Sequence, residues 1–288
     1  MTAELSDAYR TKREGVEHII SCVKEIFADV PIYVLNNNGS VETPETAVLK
    51  PLDIAAANWA ATGWLVSQYF ENCIIVDVGS TSTSIIPVIN GKVAAQGRTD
   101  LDKLIYGELV YTGSLRTNLA TIVQTVPVKN NLVATVSSEL FALSGDIHLI
   151  LGNINSEQYT CETADGKGTS RKEALTRLAR LICADTEMLT EEELTQIAKY
   201  ICKKQIQQIT NGLKKVYKHV KETAVTKVTI IIAGLGKDFL SYRAAKKIGN
   251  TTDTIIMDLD KLFSDKVSLA TPAVGTALIT AKQVEIEK

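Results

Sequence analysis

The sequence predicts an α/β fold built on a buried, partly parallel sheet, and three observations carry that prediction. Cys73 to Val78 and Val228 to Ala233 are continuous apolar runs of strand length, the pattern of strands covered on both faces. The second run is followed by Gly234-Leu235-Gly236, a helical stretch from Phe239 to Ile248 and a strand at Thr254 to Met257, which together make a βαβ unit with a parallel pair. Ser170-Arg171-Lys172-Glu173 and Thr190-Glu191-Glu192-Glu193 are capping boxes, in which a hydroxyl and a carboxylate satisfy the orphan amides of a helix start reciprocally.

From the N-terminus, Val16, Ile19, Ile20, Val23, Ile26 and Phe27 keep the spacing of one helical face, and the β-prone run Val30 to Leu35 follows. After the turn-rich Asn36-Asn37-Asn38-Gly39, the small-residue stretch from Asp53 to Phe70 reads as one closely packed helix capped by Asp53. Ser84 to Ile89 and Lys92 to Ala95 flank Asn90-Gly91, the strongest short signal for a two-residue type I′ hairpin. Between Leu101 and Leu151 the pattern suggests short strands at Ile122 to Val126, Leu132 to Val136 and Ile147 to Leu151, with a short helix around Glu139 to Leu143. The first capping box opens an amphipathic helix through Leu175, Leu178, Leu181 and Ile182. The second opens a long helix that keeps apolar spacing to Glu222, and a closing helix runs from Ala273 to Val284. This order divides the chain into 1–72, 73–225 and 226–288.

With 288 residues, 45% hydrophobic and 22% charged, the chain is long enough to bury a large core and is no disordered or low-complexity polymer. Its 31 basic and 33 acidic side chains leave a net charge of −2, without the basic excess expected of a nucleic-acid binder. Apolar runs are far shorter than the roughly 20 residues of a membrane span, and the N-terminus has no secretory pattern, so a cytoplasmic protein acting on small molecules is expected. The five cysteines are widely spaced and form no C-x-x-C pair, which signals neither a disulfide framework nor a zinc site.

The sharpest local motif is Asp77-Val78-Gly79-Ser80-Thr81-Ser82-Thr83, where a buried strand ends in an acid, a glycine and a hydroxyl-rich turn. Gly79 lets backbone amides approach an anion, Ser80, Thr81 and Thr83 add hydroxyl donors, and Asp77 is placed to hold Mg²⁺; the competing reading is an ordinary β-turn of Ser and Thr. Gly234 and Gly236 form a second glycine turn before a helix, suited to an anion or a nucleotide edge, or simply a tight connection. It matches neither a complete P-loop nor G-x-G-x-x-G. Loops holding Glu108, Tyr111, Thr112, Arg116, Asp146 and Asp165-Gly166-Lys167-Gly168 before Arg171 concentrate polar groups. Lys167 and Arg171 suit a diphosphate or a solvated loop, Arg116 a phosphate clamp or a surface ion pair. His148, inside an apolar run, reads as a satisfied core histidine.

At these residues the chain resembles known proteins. Asp77 to Thr83 is similar to the second phosphate motif of the acetate kinase, sugar kinase, Hsp70 and actin superfamily, and Ala233 to Gly236 to its adenosine-side turn. Thr2-Ala3-Glu4-Leu5, Gly107 to Gly113, Glu139-Leu140-Phe141-Ala142, Thr163-Ala164-Asp165-Gly166 and Arg177-Leu178-Ala179-Arg180 more closely resemble the hydantoinase A/oxoprolinase-related archaeal synthases of methanofuran biosynthesis. The resemblance implies a two-lobed actin-like, ribonuclease H-like α/β fold. It also implies a transferase that joins 5-(aminomethyl)-3-furanmethanol diphosphate to the phenol of γ-glutamyltyramine, releasing diphosphate with Mg²⁺ and without a nucleotide. Asp77, Glu108, Asp146 and Asp165 are the candidate carboxylates for catalysis, with Asp77 and Asp165 as metal ligands and the base unassigned among Glu108, Asp146 and Asp165. An ATP-dependent kinase, a hydantoinase-like hydrolase and a non-catalytic homologue are the alternatives, and a homo-oligomer is compatible with all of them. The superfamily's opening D-[IL]-G-G hairpin has no counterpart here, so half of the phosphate clamp is expected to be missing or encoded upstream.

Overall fold

The computed structural model describes residues 8–129, 132–223, 227–248 and 254–286; the Thr2-Ala3-Glu4-Leu5 motif lies outside the described residues. Helix α1 (Lys12–Ile26) is capped by Thr11, whose hydroxyl accepts from the Glu14 amide, and buries Val16 and Ile20. Of the expected strand at 30–35 only β1 (Val34–Leu35) pairs, antiparallel to β2 (Val41–Glu42), across the Asn36–Gly39 turn. Helix α2 (Pro44–Leu49) follows, and the single helix expected from Asp53 to Phe70 is instead two pieces, the end of α3 (Pro51–Ile54) and α4 (Asn58–Ser67). Ala56, at φ 52°, breaks the run, and Asp53 lies beside Arg98 at 3.4 Å rather than capping α4. The break aims Trp59, Ala60 and Val66 of α4 at the central sheet.

That sheet begins with β3 (Cys73–Val78) and β4 (Thr83–Ile89), antiparallel, and β4 returns through Asn90 and Gly91 into β5 (Lys92–Val93). Positive φ at both turn residues, 52° and 69°, is what a type I′ turn requires, as the Asn-Gly pair anticipates. Helix α5 (Asp100–Tyr106) then leads to β6 (Leu109–Val110), which also pairs with β4. A hairpin of β7 (Thr125–Pro127) and β8 (Val133–Thr135) stands apart.

The expected helix at 139–143 is absent and the expected strand at 147–151 is helical, as α6 (Ser144–Ile150). Every residue of α6 is buried, and a helix buried all round shows no periodicity to separate it from a buried strand. Both capping boxes form, at the starts of α7 (Arg171–Arg180) and of the 32-residue α8 (Glu191–Glu222). Strand β9 (Val228–Ala233), a π-helical turn at Lys237–Ser241, α9 (Tyr242–Lys246) and β10 (Thr254–Asp258) complete the βαβ unit, and α10 (Asp265–Leu269) and α11 (Thr271–Ile286) close the described chain.

The strand order is β10-β9-β3-β4-β5, with β9 and β10 parallel to β3 and β4 antiparallel to it. Sequences on both sides of 225/226 thus share one sheet. Three antiparallel positions followed by two parallel ones is the arrangement of the actin-like α/β fold that the sequence motifs imply. One face, through Cys73, Ile75, Ile86, Val88 and Ile231, packs on Trp59 and Val66. The other, through Ile74, Val76, Val78, Ile85 and Ile230, packs on α8 residues such as Ile209 and Leu213. Among the described residues no helix is long and apolar enough to cross a membrane.

Candidate active site at the β3–β4 turn

Gly79-Ser80-Thr81-Ser82 joins β3 to β4, and the Gly79 amide donates to the Ser82 carbonyl at 3.0 Å. The amides of Ser80 and Thr81 donate to no protein acceptor among the described residues, which leaves two backbone donors for an anion. The turn is braced from behind: the Ser114 amide donates to the Gly79 carbonyl, and those of Leu115 and Arg116 to the Ser80 carbonyl, each at 2.9 Å. The Thr83 hydroxyl donates to the Thr112 carbonyl at 2.7 Å.

Behind the brace lies a buried polar chain. The Gln205 amide nitrogen donates to the Thr112 hydroxyl (2.9 Å) and the Gly113 carbonyl (2.8 Å), so its Oε1 faces His148 Nε2 at 3.0 Å as an acceptor. Asn153 donates to His148 Nδ1 at 3.0 Å, which fixes the neutral Nε2–H tautomer. Burial holds the His148 pKa down to about 4, against the opposing Gln205 bond. His148 is therefore a satisfied core histidine, as its apolar neighbours predict. A Cβ on Gly113 would stand 2.5 Å from the Thr81 carbonyl carbon and 2.6 Å from its amide nitrogen. Gly113→Ala must therefore displace the turn. We expect kcat/KM to fall by about 10²-fold, the scale for roughly 1 Å of misplacement, and the melting temperature to fall as well, because the new Cβ meets backbone atoms of the turn that cannot swing aside.

The turn lines a cavity of about 590 Å³ whose other walls include Trp59, Lys103, Tyr111 and Arg116. Asp77 pairs with Ser84, another lining residue, so its side chain shares the sheet face that ends at this cavity. Burial raises the Asp77 carboxyl to about 6, and no protein group donates to it or pairs with it among the described residues. Lys103 is 2% exposed, with Nζ 3.6 Å from the Trp59 ring centroid, and burial lowers its pKa to about 7 against the pull of Glu108 and Asp100.

The remaining expected site residues are dispersed. Glu108 is buried, and its two oxygens accept from the amides of Gln96 (2.6 Å) and Gly97 (2.9 Å), so it anchors the loop before α5. Asp146 is fully buried against Arg177, which donates to Oδ1 through Nε (2.9 Å) and Nη2 (2.7 Å). Asp165 accepts from Arg177 (3.1 Å) and Arg180 (2.8 Å). Burial works to raise the Asp165 carboxyl, and these donors with the Lys167 amide bring it below the usual range. Arg171 pairs with Glu191 and caps the end of α6 through the Ile150 carbonyl, and Lys167 is exposed in its loop. Gly234, at φ 82°, and Gly236 press on β3: a Cβ at Gly234 would meet Asp77 Oδ1 at 2.4 Å, and one at Gly236 the Val78 side chain at the same distance. Close approach to the strand end accounts for both glycines. Arg116 is exposed, has no ion-pair partner among the described residues, and borders both this cavity and a second one beside Cys161 and Thr163.

Mg²⁺ usually keeps several waters and takes one or two carboxylates plus substrate phosphates. Asp77, without a protein partner and beside the turn, fits that role; Asp165, with two arginines on it, does not. Among the described residues no three His, Cys, Asp or Glu side chains gather as a protein cage. Sequence reasoning missed Lys103 and Trp59. Helix α5 exposes Leu101, Leu104 and Ile105 and buries its lysine, so hydrophobic patterning pointed the wrong way. The one available signal was Thr99-x-x-Asp102, a capping box that fixes the helix start.

Comparison with known proteins gives the chain's family and fold. The chain matches the Hydantoinase/oxoprolinase family over residues 1–283. It is 38% identical over 286 residues, covering 99% of this chain and 82% of the relative, to the (4-{4-[2-(gamma-L-glutamylamino)ethyl]phenoxymethyl}furan-2-yl)methanamine synthase of Methanocaldococcus jannaschii. It is 36% identical over 220 residues, 76% of this chain and 96% of the relative, to the synthase of the same name from Methanococcus vannielii. Among solved structures, a nucleotide-free acetone carboxylase superposes with TM-score 0.52 at 10% identity, over 82% of this chain and 35% of that one, a likeness of fold alone. The β3–β4 turn thus sits in a chain that belongs to the Hydantoinase/oxoprolinase family.

Proposed function

We propose that this protein is an ether-forming synthase of methanofuran biosynthesis, joining 5-(aminomethyl)-3-furanmethanol diphosphate to the phenol oxygen of γ-glutamyltyramine with release of diphosphate. The relatives' name supports the product. It contains a phenoxymethyl-furan ether, and cutting that ether on the furan side returns a γ-glutamyl-tyramine phenol and a furanmethyl donor. The observation that carries the site is the braced β3–β4 turn, whose Ser80 and Thr81 amides lack protein acceptors at the wall of a cavity of about 590 Å³.

Departure of diphosphate builds negative charge on its bridging oxygen and positive character on the methylene carbon attached to furan C3. Donors fixed in advance stabilise such charge with little reorganisation, and the backbone bonds from Ser114, Leu115 and Arg116 hold the turn in place before substrate arrives. Arg116, unpaired at the cavity wall, supplies a bidentate counter-charge to the phosphate oxygens. Trp59 and Tyr111 offer aromatic walls to the furan and phenol rings. Mg²⁺, held by Asp77 and substrate oxygens, would neutralise charge on the leaving diphosphate.

The test incubates the protein with both substrates and Mg²⁺ and follows the ether-linked amine by mass spectrometry and free diphosphate by a coupled assay. Equal amounts of the two products are expected, with turnover lost on chelation and restored by Mg²⁺. No ether product under these conditions overturns the reading, and nucleotide hydrolysis in its place would identify a kinase-like activity.

A further inference from the structure

Ether formation needs a place for the phenolic proton, and the carboxylates that sequence reasoning offered are engaged elsewhere. Both oxygens of Glu108 hold backbone amides, Asp146 is locked to Arg177, and Asp165 is shared by two arginines. Resting on the synthase reading, we propose that Lys103 is the catalytic base, its neutral Nζ accepting the proton of the phenol as the phenol oxygen attacks the methylene carbon on furan C3 that carries the diphosphate. The O–H bond of the phenol breaks and its proton goes to Nζ. The new C–O bond forms, and the electron pair of the old C–O bond leaves on diphosphate. No further reactant is required, and the ammonium returns its proton to water after product release.

Four observations place Lys103 there. It borders the same cavity as the Ser80 and Thr81 amides. Its Nζ makes no hydrogen bond or ion pair among the described residues, although the residue is 2% exposed. A lysine is seldom buried so deeply without a partner, and α5 leaves Leu101, Leu104 and Ile105 at 67%, 45% and 59% exposure while this amine is inside. The aliphatic stem is clamped by Gly97, where a Cβ would lie 2.6 Å from the Lys103 amide nitrogen and 2.7 Å from its Cγ, and the head rests on the Trp59 ring. The amine therefore has a fixed position.

Burial lowers its pKa to about 7, where an amine has a useful neutral fraction and is still a competent base. The titratable and charged groups around it are Glu108 beyond the helix end, Asp100 on α5, which pairs with Lys12 of α1 at 3.1 Å, His219 of α8 acting on Glu108, and Tyr111 and Arg116 on the cavity wall. Trp59 of α4 contributes no charge.

The experiment compares the wild-type chain with Lys103→Met and Lys103→Arg, each checked for folding by circular dichroism, over pH 5.5–9 on γ-glutamyltyramine and on ring-fluorinated analogues with more acidic phenols. Wild-type kcat/KM should rise through about pH 7 and level off. Lys103→Met should lose about 10²- to 10⁴-fold, lose that rising limb, and recover a growing share of activity as the phenol becomes more acidic. Lys103→Arg should behave alike, since a guanidinium keeps the charge and accepts no proton. A folded Lys103→Met that keeps the wild-type pH profile, or a loss independent of phenol acidity, overturns the assignment. A wild-type chain that makes no ether sinks the synthase reading itself. Protection of Lys103 from acetic anhydride labelling by γ-glutamyltyramine, read by mass spectrometry, then reports whether the amine faces a phenol, and no protection counts against Lys103 on its own.

Discussion

Asp77→Asn should melt above the wild-type chain at pH 7 while losing about 10²- to 10³-fold in kcat/KM. The two effects share one origin. The Asp77 carboxyl titrates near 6 in the folded chain against an ordinary value of 3.8, because burial disfavours its charged form and no donor compensates. A raised folded pKa means that the folded state holds the proton more tightly. The associated stability is complete below about 4 and is lost as pH rises through 6. At pH 7 the ionised carboxylate therefore costs up to about 3 kcal/mol, which an amide of the same shape removes. Melting curves of the two chains should converge below about pH 4, where both side chains are neutral. If Asp77→Asn melts lower at pH 7 and the gap persists in acid, the carboxylate has a protein partner after all. Retained, chelator-sensitive turnover would remove Asp77 from the metal role.

Arg177→Met should destabilise the chain by about 3–5 kcal/mol, measured by chemical denaturation, because it strands a fully buried Asp146 without its cation. Arg177 lies at 0% exposure and ties two parts of the fold together, α6 through Asp146 and the loop before α7 through Asp165 and the Gly168 carbonyl at 3.1 Å. The double change Arg177→Met with Asp146→Leu should recover most of the loss, since an apolar pair of similar volume is often as stable as a buried ion pair. A residue should remain, because Asp146 Oδ2 also accepts the Leu143 amide at 2.9 Å and the Tyr159 hydroxyl lies 3.3 Å from Oδ1. Equal losses in the single and double variants would show that the arginine acts through packing alone.

Elements with strong local chemistry were legible in the sequence. The apolar strands β3 and β9, the Asn90-Gly91 hairpin and both capping boxes form where residue patterns put them, since each rests on neighbouring residues. Elements decided by distant packing were not. Helix α6 looks like a strand because nothing about it faces water, and the Ala56 break has no Gly or Pro to announce it. The same divide runs through the site. The Gly79–Ser82 turn was visible as a motif, whereas Lys103 became visible only when tertiary packing set it on Trp59. Arg177, quoted only as part of a family motif, turned out to occupy the two aspartates that had looked free for chemistry.

Strand β3 has a neighbour on each side, and the two arrive at very different times. β4 follows within one short turn, so that hairpin needs little loop closure. β9 comes only after the β7–β8 hairpin, α6, α7 and the 32-residue α8. On the ribosome, the Cys73–Val78 backbone therefore stays unpaired along its β9 side until Ala233 has emerged, with a row of apolar side chains beside it. The aggregation hazard of this protein belongs to its half-made chain, and a chaperone that shields β3 during synthesis of α8 would raise the yield of folded protein without touching its final stability.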